Sequence, residues 1–485
     1  MTAPLILGTN SIKDSGFDVA NSLRFDSASS DSLTRSTTAG TRTTWTFSTW
    51  FKRSKLGVLQ SILEHDDSNY FRIRLTSGNV FEVFDSNGNH TWNWHNLLKE
   101  TASWYHIVLR GDSTDGTNAN RLRLYLNGSL AEANTVASIA QDYTFSFNQG
   151  GTLQIGKRGS TDFFDGYLAE TILIDGTSLD PTSFGQFDSD SPTIWKPKDP
   201  SGLTFGSQGF YLDYKDSSAL GNDVSGNNKD FTANNLTSID QCTDTCTNNF
   251  CTFTSENHTA SGWTLSEGNL KCRATTGTLG LHGSSIMPTD SGKWYFECKI
   301  GEAGQTDRSR VGIMNYQTQL NNSDYSGVIN TPQQVLAGCT TSCKAGKHFE
   351  GDAQGVMVEY TASGDFADGD IIQFAMDLDN KAIYIGRNGT FLTRTGSSGG
   401  DPTSGSSKTG AITTNTNIMD GSPMTAYTGL SVGSGSDTSE MFFNFGNPPF
   451  SISSGNTDAN GFGNFEYAPP TGYLAWCSKN LAESG

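Results

Sequence analysis

Apolar and polar residues alternate with period two through most of this chain. In "RLRLYLNG" Leu122, Leu124 and Leu126 fall on one side, and Arg121, Arg123 and Tyr125 on the other. That is the signature of a strand with one buried and one wetted face. "SLRFD", "TWTFSTWFKR", "YFRIRL", "VFEVFD", "SWYHIVLR" and "TLQIGKR" read the same way, separated by turns rich in Gly, Asn and Asp. A second series follows: "KWYFECKI", "RVGIM", "GVMVEY", "DIIQFAMDLD", "KAIYIGRNG" and "MFFNFG". In "DIIQFAMDLD" Phe374, Met376 and Leu378 point one way, and Ala375, Asp377 and Asp379 the other. Asn127-Gly128 and Asn388-Gly389 each close an alternating run, the strongest short-range sign of a tight hairpin. No helical pattern outlasts a turn or two. Short strands at regular spacing predict an all-β chain of sandwich or jelly-roll type.

The pattern also divides the chain. Residues 1–21 are aperiodic and read as an arm that orders against a partner. Strands fill 22–195, and periodicity then fades around "SPTIWKPKDPSG". Residues 196–255 are polar and turn-rich, and predict an irregular connector anchored by Phe210, Tyr211, Tyr214 and Phe231. A second sandwich is expected over 256–450, interrupted by a Gly/Ser/Thr-rich loop at 393–423 of the kind that is usually functional or mobile. Residues 451–485 are expected to pack back through Tyr473, Leu474 and Trp476. Trp104-Tyr105 and Trp294-Tyr295 suggest a repeat, but their spacings to the following Asn-Gly pairs differ too much for duplicated halves.

Composition changes this picture little. Charged residues are only 17% and aromatics 11%, so the low apolar content of 34% points to a loop-rich folded chain, not a disordered one. A net charge of -18 without a Lys/Arg run argues against nucleic-acid binding. No run approaches the roughly 20 apolar residues of a membrane span. The start lacks a basic segment before its short apolar run, so synthesis in a cytosol is expected. All 8 cysteines lie from Cys242 onward, which marks two differently built halves. Cys242, Cys246 and Cys251, and the pair Cys339 and Cys343, could hold zinc by spacing, but no His sits at a partner spacing. Local disulfides or buried thiols are the alternatives.

The motifs resemble known families. "WTFSTWFKRSKLG", "SWYHIVLRGD", "LRLYLNG" and "FDGYLAETILIDGTSLDPTSFG" resemble the laminin-G-like, concanavalin A-like domains of phage structural proteins. "GKWYFECKI", "DIIQFAMDLDNKAIYIGRNG" and "MFFNFGNPPF" resemble a SPRY domain. The combination is similar to large virion proteins of marine tailed phages. That resemblance implies two concanavalin A-like sandwiches joined by the connector, in a tail or head fibre, a receptor-binding protein or a capsid decoration. The arm at 1–21 would attach to other virion proteins, and trimers would give avidity for host surface glycan. A decoration without a host ligand, and a glycan hydrolase, are the alternatives.

Candidate chemistry is sparse. Hydrolysis would need two carboxylates across a cleft, and Asp377 and Asp379 lack the further acids of the related glucanases, so no enzyme is expected. A sugar platform needs flat aromatic faces; "NHTWNWHN" puts Trp92 and Trp94 on one side with His90. By the SPRY resemblance, Tyr316 and Tyr325 would anchor a partner in a variable loop. No cofactor is expected, although Asp66, Asp67, Asp85 and Asn87 offer oxygen ligands that would suit calcium. The plainer reading is that these are turn formers.

Overall fold

The computed structural model describes residues 16–254, 263–275, 280–286, 288–289, 291–302, 310–315, 334–338, 347–350, 357–359, 367–393, 397–414, 419–430 and 438–484. The described residues form two compact units, one up to Asn249 and the other from Phe250 onward.

The first unit is a sandwich of two 8-stranded sheets. One sheet is centred on Thr44–Arg53, which pairs antiparallel with Trp104–Asp112 on one side and Gly166–Asp175 on the other. The other sheet runs as a meander through Gln60–Asp66, Tyr70–Leu75, Val80–Asp85 and His90–Leu97. Alternation works as expected at the interface. Trp45, Phe47 and Phe51 from the first sheet meet Leu63, Phe71 and Ile73 from the second in one core, with Trp45 edge-on to Phe71 at 5.6 Å.

Alternation alone misses the outer face of the first sheet. Strand Thr44–Arg53 is buried at every position but its first, because Trp50, Ala169 and Trp195 form another cluster there with Val19. Of the stretch 196–255 expected as an irregular connector, residues 196–249 belong to this unit and add strands to both of its sheets. Phe210–Leu212 pairs with Gly166–Asp175, Gln241–Cys242 with Ser22–Phe25, and Thr232–Asn234 with Ser32–Thr37. These runs of two or three residues are too short to carry a visible period. Phe210, Tyr211, Tyr214 and Phe231 are buried.

The second unit contains an 8-stranded and a 6-stranded sheet among the described residues. Phe296, Phe374 and Phe443 from the larger sheet share a core with Val311, Ile313 and Met424 from the smaller. Strand Ile371–Asp377 is buried on both faces, since Phe465, Tyr473 and Ala475 pack with the face that Ala375 shares with Tyr295 and Tyr384 on the neighbouring strands. Tyr473, Leu474 and Trp476 of the C-terminal segment are buried, with Leu474–Ala475 pairing parallel to Lys293–Glu302. Glu297 binds this segment, accepting from the backbone N–H groups of Glu466 and Tyr467 at 3.1 and 2.8 Å.

Candidate functional site

An open groove of about 490 Å³ lies in the first unit between residues 217–222 and 230–238. Short-range Asp chemistry builds it. Asp216 Oδ1 accepts from the Ser218 N–H and hydroxyl at 2.9 and 2.6 Å, which shapes one wall as a tight turn. The Ser218 hydroxyl bond foremost keeps this exposed carboxyl below its ordinary range, so the wall carries a negative charge.

Behind the groove, Asp223 accepts from the N–H groups of Tyr211, Ser225 and Lys229 at 2.8 to 2.9 Å. Its own N–H donates to Asp230 Oδ1 at 2.9 Å, tying the walls together. Gly221 is required where they meet, because a Cβ there would overlap the Phe231 carbonyl oxygen. The opposite wall follows strand Thr232–Asn234 into a capping box formed by Thr237 and Asp240.

Leu220 and Phe231 are buried beneath the groove and Leu236 is half-buried. Ser217, Ser218, Thr237 and Ser238 supply hydroxyls, Asn222 an amide and Asp230 a carboxylate. Such a lining offers donors and acceptors for hydrogen bonds over a small apolar floor.

Residues 26–177 match the concanavalin A-like lectin/glucanases superfamily. The groove lies outside that match. No curated protein matches the chain by sequence. Among solved structures, the SPRY domain of human HERC1 is similar at 15% identity, covering 39% of this chain and 96% of that one, with a TM-score of 0.28. Domains LG4-5 of the mouse laminin alpha1 chain are similar at 10% identity over 88% of this chain and 90% of theirs, with a TM-score of 0.28. A SAP-like pentraxin from Limulus polyphemus is similar at 16% identity, covering 34% and 79%, with a TM-score of 0.26.

The residues expected to form a sugar platform do something else in this lectin-like sandwich. Trp92 and Trp94 are 2% and 3% exposed and belong to the core, so their faces offer no platform. They alternate inward, the same side on which Phe81 and Val83 lie on the neighbouring strand. His90 is half-buried, edge-on to Tyr143 at 5.2 Å. Tyr316 and Tyr325 lie outside the described residues.

The calcium candidates do not gather. Among the described residues no three His, Cys, Asp or Glu side chains are grouped to hold a metal. Asp85 is fully buried and its oxygens accept from the N–H groups of Asn87 and Ser146, both at 3.0 Å. Burial pushes its carboxyl upward, against metal ligation. The Asn87 side chain donates to the Thr144 carbonyl, while Asp66 and Asp67 are exposed at a different turn.

The disulfide candidates Cys242, Cys246 and Cys251 are not joined in disulfides. Cys242 and Cys251 are buried, and burial pushes the Cys246 and Cys251 thiols upward. Cys339 and Cys343 lie outside the described residues.

Asp377, Asp379 and His106 hold structure. Asp377 is fully buried, 3.1 Å from Lys293 Nζ, and accepts from the Asn380 N–H and amide at 2.9 Å. Asp379 accepts from the Gly292 N–H at 2.8 Å. Ser48 and His106 resemble a nucleophile–base pair at 2.9 Å, but the proton sits on the wrong nitrogen. Trp195 Nε1 donates to His106 Nδ1 at 2.9 Å, so Nε2 carries the hydrogen and donates to Ser48. The imidazole cannot take a proton from that hydroxyl.

Sequence reasoning missed the groove because Ser, Asn and Asp at 217–238 read as turn formers.

Proposed function

We propose that this chain is a non-catalytic adhesion component of a virion, a tail or head fibre that contacts host surface glycan through the groove at 217–238. The observation that carries this reading is the open groove of about 490 Å³ lined by hydroxyl, amide and carboxylate groups over Leu220 and Phe231. Its breadth suits a short hydroxyl-rich chain, and its anchorage on a two-sheet framework holds the polar groups in place without ordering cost on binding. The virion role rests on the resemblance of the strand motifs to phage structural proteins. In that setting the part of the expected arm ahead of Gly16 attaches to the particle, Val19 being packed on the first unit, and trimers multiply weak single-site contacts. The non-catalytic reading is supported by the structural use of Asp377 and Asp379 and by the proton on Nε2 of His106.

Purified chain added before infection should block adsorption to host cells, and antibody against it should label particles. Ser217→Trp and Ser238→Trp, which fill the groove at exposed positions, should each remove the block at an unchanged melting temperature. A chain missing from particles, or a block that survives both substitutions, overturns the reading.

A further inference from the structure

Strand Thr44–Arg53 carries a lysine on its outer face that water does not reach. The side chains of Lys52 and of Asp244 are 1% and 0% exposed. Register places Lys52 between Trp104 on one neighbouring strand and Tyr167 on the other. Its Nζ stands 5.6 Å from the Tyr167 ring centre. The last segment of the unit brings two groups to that nitrogen. Lys52 Nζ donates to Asp244 Oδ2 at 2.8 Å and to the Asn249 side-chain carbonyl oxygen at 2.7 Å. Both acceptors are held in orientation. Trp104 Nε1 donates to Asp244 Oδ1 at 3.0 Å, and Asn249 Nδ2 donates to the Ala102 carbonyl at 2.7 Å.

A buried ion pair alone gives little net stability, because desolvation offsets its attraction. The third group changes what the cluster can do. A buried amine, a buried proton-accepting carboxylate and the carboxamide carbon of half-buried Asn249 lie within hydrogen-bond reach of one another, so attack is effectively unimolecular. We propose that Lys52 and Asn249 become joined by an intramolecular isopeptide bond, with Asp244 as the proton carrier.

The step balances within the chain. Asp244 takes one proton from the Lys52 ammonium, and the freed lone pair attacks Asn249 Cγ while the carbonyl electron pair moves onto Oδ1. Asp244 hands that proton to Nδ2 and takes a second from Nζ as the tetrahedral carbon collapses. The Cγ–Nδ2 bond breaks, ammonia leaves with the second proton as ammonium, and Asp244 is again a carboxylate. The third lysine proton stays on the new amide nitrogen, and no oxidant, reductant or cofactor enters. The bond would tie together residues 197 positions apart, fastening a central strand to the last residue of the unit. Tension between the chain before Lys52 and the chain after Asn249 would then bypass the strands between them. The chemistry stands independently of the adhesion reading.

Intact mass of the purified full chain tests it. The expected mass is lower than the sequence mass by one ammonia, with a branched tryptic peptide joining Lys52 to Asn249 and no cleavage after Lys52. Asn127-Gly128 and Asn388-Gly389 can also lose ammonia as succinimides, so the branched peptide decides. Asn249→Ala and Lys52→Met should remove the branch, and Asp244→Asn should slow or abolish it. Folded wild-type chain that yields separate Lys52 and Asn249 peptides overturns the proposal. Full linkage in Asp244→Asn overturns the role given to Asp244.

Discussion

At the residue scale, three buried ionisable groups of the first unit make stability depend on pH with opposite signs. Burial lowers His65 and His106 to about 3 from 6.5, so both are neutral in the folded chain. Each takes a proton readily only when unfolded. Their contribution is therefore complete above about pH 6.5 and is lost as pH falls toward 3. Glu170 runs the other way. It sits at a bulge of strand Gly166–Asp175 with φ 49°, and its Oε2 accepts from the Tyr211 hydroxyl at 2.6 Å. Burial raises its carboxyl to about 7 from 4.5. Its contribution is present below pH 4.5 and is lost as pH rises through 7. Glu170→Gln should thus raise the melting temperature relative to wild type at pH 8 and leave it nearly unchanged at pH 4, as measured by thermal melts across that range. Gln keeps an acceptor for Tyr211, and a loss at pH 8 would show that the carboxylate is stabilising there.

At the element scale, the two Asn-Gly hairpins belong to the framework. Asn127 and Gly128 have φ of 47° and 79°, and Asn388 and Gly389 of 49° and 85°, which is the twist that two-residue turns need. Both glycines also lie against rings. A Cβ on Gly128 would overlap the Trp195 indole, and one on Gly389 would lie 2.9 Å from the Tyr467 ring. Gly128→Ala should therefore cost about 1–3 kcal/mol by denaturant melts, from strain and overpacking together. The tryptophans of strand His90–Leu97 behave as core. Trp92→Ala should cost roughly 3–5 kcal/mol and weaken any ligand binding only by unfolding the unit. A well-folded variant with selectively lost binding would contradict its buried position.

At the scale of the whole molecule, two separate cores predict two calorimetric transitions, because each unit loses its own buried apolar surface. The cysteines predict that at least six thiols titrate in denatured, unreduced protein, since none of the six described is joined in a disulfide. Added reductant should leave both transitions in place. Fewer than six reactive thiols would mean that buried cysteines pair in solution. Much of the architecture was legible in the sequence. Leu122 and Leu124 are buried as their alternation predicts, and the all-β fold follows from runs of that kind. The groove was not legible, because the i to i+2 bonds of Asp216 and Asp223 read as ordinary turns, while the bonds that join the walls, Asp223 to Tyr211 and Lys229 and Asp230 to Asp223, span 6 to 12 residues that no spacing rule links. The cluster of Lys52, Asp244 and Asn249 was invisible for the same reason.

Period two determined, from the sequence alone, which side chains share a face of a strand, and Asn-Gly determined where two hairpins turn. Both are local steric facts. Tertiary structure decided what lies against each face. Residues 242–249 lie almost two hundred positions from Lys52 and enclose it, and the segment containing Phe465, Tyr473 and Ala475 encloses the face shared by Ala375 and Tyr384. A strand's alternation is the same whether its polar side meets water or a remote segment. Only long-range docking made Lys52 and Asp377 buried groups, and only it turned Trp92 and Trp94 from an expected platform into core.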